Sequence, residues 1–156
     1  MFFNASGSYT FEEMIEKIEE FIIQEKAQNR EVKFIIGTDS QRVDKNKFTF
    51  AIAVAVHSVG HGGTFFIRRI RKNKFYHLSE RLFEEANMSL DVAQKLRGND
   101  FLDMVDGIEV HADVGVNGKS ARYANAIKAM IESYGFEGHI KPRAAIAAHI
   151  ADRYTK

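Results

Sequence analysis

Val32-Lys33-Phe34-Ile35-Ile36-Gly37-Thr38-Asp39-Ser40 is an apolar run that stops at a glycine, a hydroxyl and a carboxylate. Its β-branched and aromatic residues over six or seven positions predict a short strand. Polar Asp44-Lys45-Asn46-Lys47 follows, then a second apolar run from Phe48 to Val56. Gly60-His61-Gly62-Gly63 marks another turn before a third run, Thr64 to Arg71, so three consecutive strands form an antiparallel meander. Downstream the period changes. A helix is expected from Ser79 to Leu96, a strand over Ile108 to Val114, a helix from Ser120 to Tyr134, a brief strand over His139 to Lys141 and a last helix from Arg143 to Tyr154. Upstream, Thr10 and Glu13 are spaced as a capping box, opening a leading helix through Gln28 with Phe11, Met14, Ile15, Ile18, Phe21 and Ile22 on one face.

Leading helix apart, the order is βββαβαβα. The fourth strand needs a parallel neighbour, and the first is the natural one. Right-handed crossovers then put helices on both faces of a mixed five-stranded sheet, and the ends of strands one and four meet where α/β sheets place their ligands. Asp39 and Asp113 are expected at those two ends.

A chain of 156 residues, 45% of them hydrophobic, is read as one domain, 1–156, able to bury roughly 70% of its unfolded surface. It has no cysteine, which excludes disulfides and thiolate zinc sites. No apolar run approaches the ~20 residues of a spanning helix. Met1-Phe2-Phe3 lacks the basic start of a signal peptide, so the expected location is cytoplasmic, away from membranes. A net charge of +1 excludes a generally basic nucleic-acid binder, and local charge has to carry any such role. The densest basic run is Arg68, Arg69, Arg71, Lys72 and Lys74, either a guarded edge strand or a phosphate-contacting strip.

Carboxylates recur where the predicted elements converge. Asp39 closes the first run, with a plain turn aspartate as the alternative beside Ser40 and Gln41. Asp113 closes the fourth strand, where Glu109, His111 and Asp113 alternate with Ile108, Val110 and Ala112 and so share a face. Glu109 stands ~13 Å from Asp113 along a regular strand, which suits a carboxylate bound to other partners, and His111 a hydrogen-bonding role beside the site. On the last helix Ala145, Ala148, His149 and Asp152 share a face whose small residues allow close approach to the sheet. Asp152 then points towards the strand ends, unless Arg153 holds a local ion pair there, and His149 is a candidate proton carrier or a buried, satisfied histidine. Gly115-Val116-Asn117-Gly118-Lys119-Ser120 is two residues short of a nucleotide-triphosphate loop. Ser120 instead suits a helix cap, with Lys119 and free N–H groups able to hold a phosphate.

Phe34-Ile-Ile-Gly-Thr-Asp-Ser-Gln41, His111-Ala-Asp-Val-Gly-Val-Asn-Gly-Lys-Ser120 and Lys141-Pro142 through Asp152-Arg-Tyr-Thr-Lys156 resemble the YkuK family of bacterial ribonuclease H-like proteins, nearly end to end. The resemblance implies a ribonuclease H-like α/β fold and a nuclease relationship. It also implies an aspartate on the central first strand, which Asp39 matches, and a Lys-Pro element, which Lys141 matches. A further carboxylate often comes from the helix after the third strand in such enzymes. Glu80, Glu84 and Glu85 compete for it. With ~100° per residue and the apolar face centred on Ala86, Glu84 points away and Glu85 lies at the boundary, so Glu85 is preferred.

Convergence of Asp39, Glu85, Asp113 and Asp152 would form a hard oxygen cage for Mg²⁺ or Mn²⁺, which favours phosphodiester hydrolysis by two ions roughly 4 Å apart. Zinc is disfavoured by the missing cysteines. Ser40, Gln41, Lys119, Ser120 and Lys141 are the expected substrate contacts, and the partner is RNA, DNA or a hybrid. Phe65, Phe66, Phe75 and Tyr76 surround the basic run and offer stacking surfaces, although half of any such strand faces the core. The alternative is a non-catalytic nucleic-acid- or protein-binding module with the same fold. An actin-like ATPase is disfavoured because its two-domain cleft needs a far longer chain. A phenylalanine-rich edge strand could also support a homodimer.

Overall fold

The computed structural model describes residues 1–115 and 117–141. Seven strands and three α-helices are built within them: β1 Phe2–Asn4, β2 Gly7–Tyr9, α1 Phe11–Lys26, β3 Val32–Asp44, β4 Lys47–Ser58, β5 Gly62–Lys72, α2 Leu78–Arg97, β6 Gly107–His111, α3 Ala121–Ser133 and β7 Glu137–His139. A short 3₁₀ turn, Asp100–Met104, leads from α2 into β6. The strands form one mixed sheet in the order β2-β1-β5-β4-β3-β6-β7.

The leading helix starts as its sequence dictates. Thr10 Oγ1 accepts the Glu13 N–H at 3.1 Å and Glu13 Oε1 accepts the Thr10 N–H at 3.0 Å, the reciprocal capping box. Met14, Ile18 and Ile22, one turn apart, are fully buried. The meander β3-β4-β5 is antiparallel throughout. β4 lies inside it, and its run Phe48–Val56 is buried on both faces, which is why it reads as continuously apolar rather than alternating. Phe50, Ile52, Val54 and Val56 enter the main core with α1, α2 and α3, whereas Ala51 and Ala53 turn the other way, against Ile67.

β6 runs parallel to β3, from Lys33↔Gly107 to Gly37↔His111, and β7 runs parallel to β6. Asp106 sets this pairing. Its carboxylate accepts the Val32 N–H at 2.8 Å and pairs with Lys26 Nζ at 2.9 Å, joining the end of α1 to the starts of β3 and β6.

Three expectations need correction. The sheet has seven strands rather than five, because Phe2–Asn4 and Gly7–Tyr9 form a hairpin whose Phe3 pairs with Ile67 of β5. Strands this short carry no periodicity to read. Among the described residues, the three helices all feed the core on one face of the sheet. The helix expected over Arg143 to Tyr154 lies outside the described residues. Finally, β3 does not end near Asp39: its hairpin with β4 continues to Asp44↔Lys47, so Asp39 is an interior residue opposite Ala51. β6 stops at His111, leaving Asp113 beyond the strand rather than at its last position.

Candidate carboxylate site and a histidine cluster beside it

The stretch of β3 beyond Gly37 has β4 on one side and, among the described residues, no paired strand on the other, because β6 has already ended. Two chain segments continue past it side by side. Ala112 N donates to His139 O at 2.9 Å and Lys141 N donates to Val114 O at 2.9 Å, which carries Asp113 and Lys141 forward together. Lys141 Nζ reaches Asp113 Oδ1 at 2.7 Å.

From the helical side, α2 presents Thr38 and Ser40 with partners. Thr38 Oγ1 lies 2.7 Å from Ser89 Oγ, and the Ser40 hydroxyl donates to the Glu85 carboxylate. Arg81, one turn before Glu85, donates to the Ser40 hydroxyl and to its carbonyl, with its Nε 3.9 Å from Glu85 Oε2. Glu85 is only 6% exposed. Burial pushes its carboxyl well above the ordinary range against the Ser40 hydrogen bond, and the charges of Asp39 and Asp113 push it further, opposed by Arg81. The Lys141 ammonium is held above its ordinary value by its hydrogen bond and charge pairing with Asp113, with Asp39 and Glu85 adding to it. Asp39, Glu85, Asp113 and Lys141 therefore influence one another electrostatically, although Asp39, opposite Ala51, lies on the face of β3 away from the α2 side that Ser40 and Glu85 occupy.

Other expected site residues fall less closely. Gln41 is half-buried further along β3, with its Oε1 buried and unpaired among the described residues. Lys119 is exposed. Ser120 occupies the cap position of α3, but its hydroxyl accepts the Gly115 N–H at 3.4 Å rather than a helix N–H, so it secures the preceding loop. Asp152 and His149 lie outside the described residues. Of the four aromatics, Phe66 and Tyr76 are core residues, whereas Phe75 is 39% exposed, with the Arg42 guanidinium 5.6 Å from its ring.

Two groups were missed from sequence. Arg81 had no signal beyond its i, i+4 spacing to Glu85. The second is a cluster on the outer strands, where His111 Nε2 lies 2.9 Å and His139 Nε2 3.4 Å from Glu109 Oε1. Their ligating atoms all fall within 4.8 Å of one another, an arrangement able to hold a metal ion. Lys33 Nζ approaches the other oxygen, Glu109 Oε2, at 3.4 Å. Burial alone would raise the Glu109 carboxyl, but His111, His139 and Lys33 together hold it below its ordinary value. Burial lowers the His111 imidazole despite Glu109. The legible signal was the repeat Glu109-Val110-His111 and Glu137-Gly138-His139.

On the same face as Asp39, the register Asp39↔Ala51↔Arg69 leads across the sheet to a basic groove. It has a volume of about 470 Å³ and is lined by Lys47, Arg69, Arg71 and Lys72 among others.

A mixed sheet with a central antiparallel meander, a parallel strand beside its first member and acidic groups at their junction defines the ribonuclease H-like class. The sequence model described as Ribonuclease H-like matches residues 13–156, and the chain belongs to that family, the YkuK family. No curated protein matches it in sequence. Among the described residues no helix is long and apolar enough to cross a membrane.

Proposed function

We propose that this chain is a metal-dependent nuclease that hydrolyses phosphodiester bonds in RNA or DNA, with Asp39, Glu85 and Asp113 as its hard oxygen ligands. The observation that carries the reading is the burial of Glu85 within reach of two further carboxylate charges. Such a group is stable at neutral pH only if it is protonated or compensated; Arg81 and Lys141 supply two positive charges against three carboxylates, and a divalent cation would complete the compensation. The donor set fits Mg²⁺ or Mn²⁺ because all of its members are oxygens. What these cations supply when bound is an activated water on one side of the phosphodiester and charge stabilisation of the leaving oxygen on the other.

The chain's own residues would do the rest. Ser40 and Arg81 fix the Glu85 carboxylate through hydrogen bonds to it and around it. Lys141, paired with Asp113, would release that carboxylate to the cation and turn its ammonium towards a substrate phosphate. The groove at Lys47, Arg69, Arg71 and Lys72 would track the strand backbone, about 10 Å across the sheet from Asp39 by two strand spacings. Asp152 and His149 remain expectations from the sequence for a fourth ligand and a proton carrier.

The test is cleavage of a labelled panel with Mg²⁺ or Mn²⁺: single-stranded RNA and DNA, an RNA–DNA hybrid, duplexes and a four-way junction. Metal-dependent cleavage that is lost in Asp39→Asn is the expected result and names the substrate class. Binding of the panel without cleavage at any metal concentration would replace the enzyme with the non-catalytic module.

A further inference from the structure

We propose that Glu109, His111 and His139 form a binding site for one zinc-class divalent cation, bridging β6 to β7 and separate from the carboxylate group. Parallel pairing sets the two Glu-x-His repeats in register, Glu109↔Glu137 and His111↔His139, so like residues stand side by side on the outer strands. The imidazole rings lie 5.1 Å apart at a tilt of 34°. In a tetrahedral zinc site with ligand bonds near 2.0–2.2 Å, neighbouring donors are about 3.3–3.5 Å apart. The distances from Glu109 Oε1 to the two ring nitrogens, 2.9 and 3.4 Å, already match that edge to within a side-chain adjustment.

Two further features favour a metal over a simple hydrogen-bond cluster, and one sets its cost. Lys33 engages Glu109 Oε2 and leaves Oε1 to face both histidines, the orienting contact that ligating carboxylates usually have. His111 is 6% exposed, and its Nδ1 is buried without a hydrogen-bond partner among the described residues. Ligation through Nε2 puts the ring proton on this Nδ1, so metal binding has to offset a buried N–H for which no acceptor stands among the described residues. Glu137 Oε1, exposed and 2.9 Å from His139 Nε2, is the nearest fourth donor, with water as the alternative. Two imidazoles and a carboxylate suit Zn²⁺ or Co²⁺, whereas Mg²⁺ selects oxygen ligands. The absence of cysteine does not count against such a site, because none of its ligands is a thiolate.

The test uses the full chain freed of metal by chelation. Co²⁺ is titrated while visible absorption is followed, and Zn²⁺ is then titrated in competition. We expect one Co²⁺ per chain with intense four- or five-coordinate bands, distinct from any weakly absorbing Co²⁺ on the carboxylate group, displacement of that ion by Zn²⁺, and a rise in the thermal midpoint on loading. His139→Ala should weaken Zn²⁺ binding by at least about 100-fold. Glu109→Gln keeps the side-chain shape and should weaken it similarly, which covers the case in which the histidine variant fails to fold. Asp39→Asn should leave the intense bands intact. The proposal is overturned if the wild type shows no intense four- or five-coordinate Co²⁺ bands, if those bands survive in both His139→Ala and Glu109→Gln, or if they disappear in Asp39→Asn; Co²⁺ on the carboxylates, six-coordinate and weakly absorbing, is not counted. None of these readouts depends on nuclease activity, so the two proposals fail separately.

Discussion

Asp106 carries more of the fold's geometry than its place in the sequence suggests. Its carboxylate holds Lys26 and the Val32 N–H, and these contacts keep its pKa below the ordinary 3.8. The hydrogen bond from Lys26 is the main cause and that from Val32 the next. A carboxyl depressed in the native state contributes stability above the unfolded pKa and loses it as pH falls through the native one. Its side chain is 37% exposed, so solvent screening limits the contribution to about 1 kcal/mol. Asp106→Ala should lower unfolding free energy by that amount at pH 7, measured by urea titration, and the difference from wild type should shrink below pH 3.8. Nothing local in the sequence signals this residue, because its partners are 74 and 80 positions away. Glu85 was more legible. Counting ~100° per residue put it at the edge of the apolar face, and the Ser40 hydroxyl explains how a carboxylate is accommodated there.

At the scale of elements, long periodic segments were readable and short ones were not. The capping box, the three-strand meander and the parallel placement of the fourth strand all follow from pattern and from handedness rules. The β1-β2 hairpin and the exact extent of β3 do not, since pairing with β4 rather than hydrophobicity carries β3 through polar Ser40 to Asp44. The expected turn at Gly60 to Gly63 also splits on inspection. Gly60 turns at a positive φ of 80°, whereas Gly62, at a positive φ of 86°, and Gly63 already open β5 opposite Ser58 and His57. A Cβ on Gly63 would lie 2.3 Å from Val56 O, a backbone atom with little freedom to move. Gly63→Ala should therefore cost about 1–3 kcal/mol by overpacking, whereas Gly60 tolerates added volume and is limited by its φ alone. Chemical denaturation of the Gly63 variant checks this. An unchanged midpoint would mean that the β4-β5 hairpin opens enough to admit a methyl group.

Across the whole molecule, charge is distributed rather than abundant. A net +1 conceals a basic groove on the face that also carries Asp39. If a nucleic-acid strand lies there, affinity measured in chelator should fall with salt, and Lys47→Ala with Lys72→Ala should reduce the slope of log affinity against log salt by roughly 1.4 to 1.8. A smaller loss of slope with equal affinity would place the strand elsewhere. The candidate site itself was only partly legible at this scale. Its carboxylates could be nominated one by one, but the compensating Lys141 contact and the Glu-His cluster depend on β7 lying in register beside β6.

The parallel pairing of β3 with β6 also has a consequence in time. Asp39, Glu85 and Asp113 come together only after a chain segment of more than seventy residues has folded back, with the Val32 to Asp106 contact closing it. The β3-β4-β5 meander by itself lacks the segment after β6 that carries Asp113. Any cation shared by these carboxylates would thus require the parallel half of the sheet to be in place.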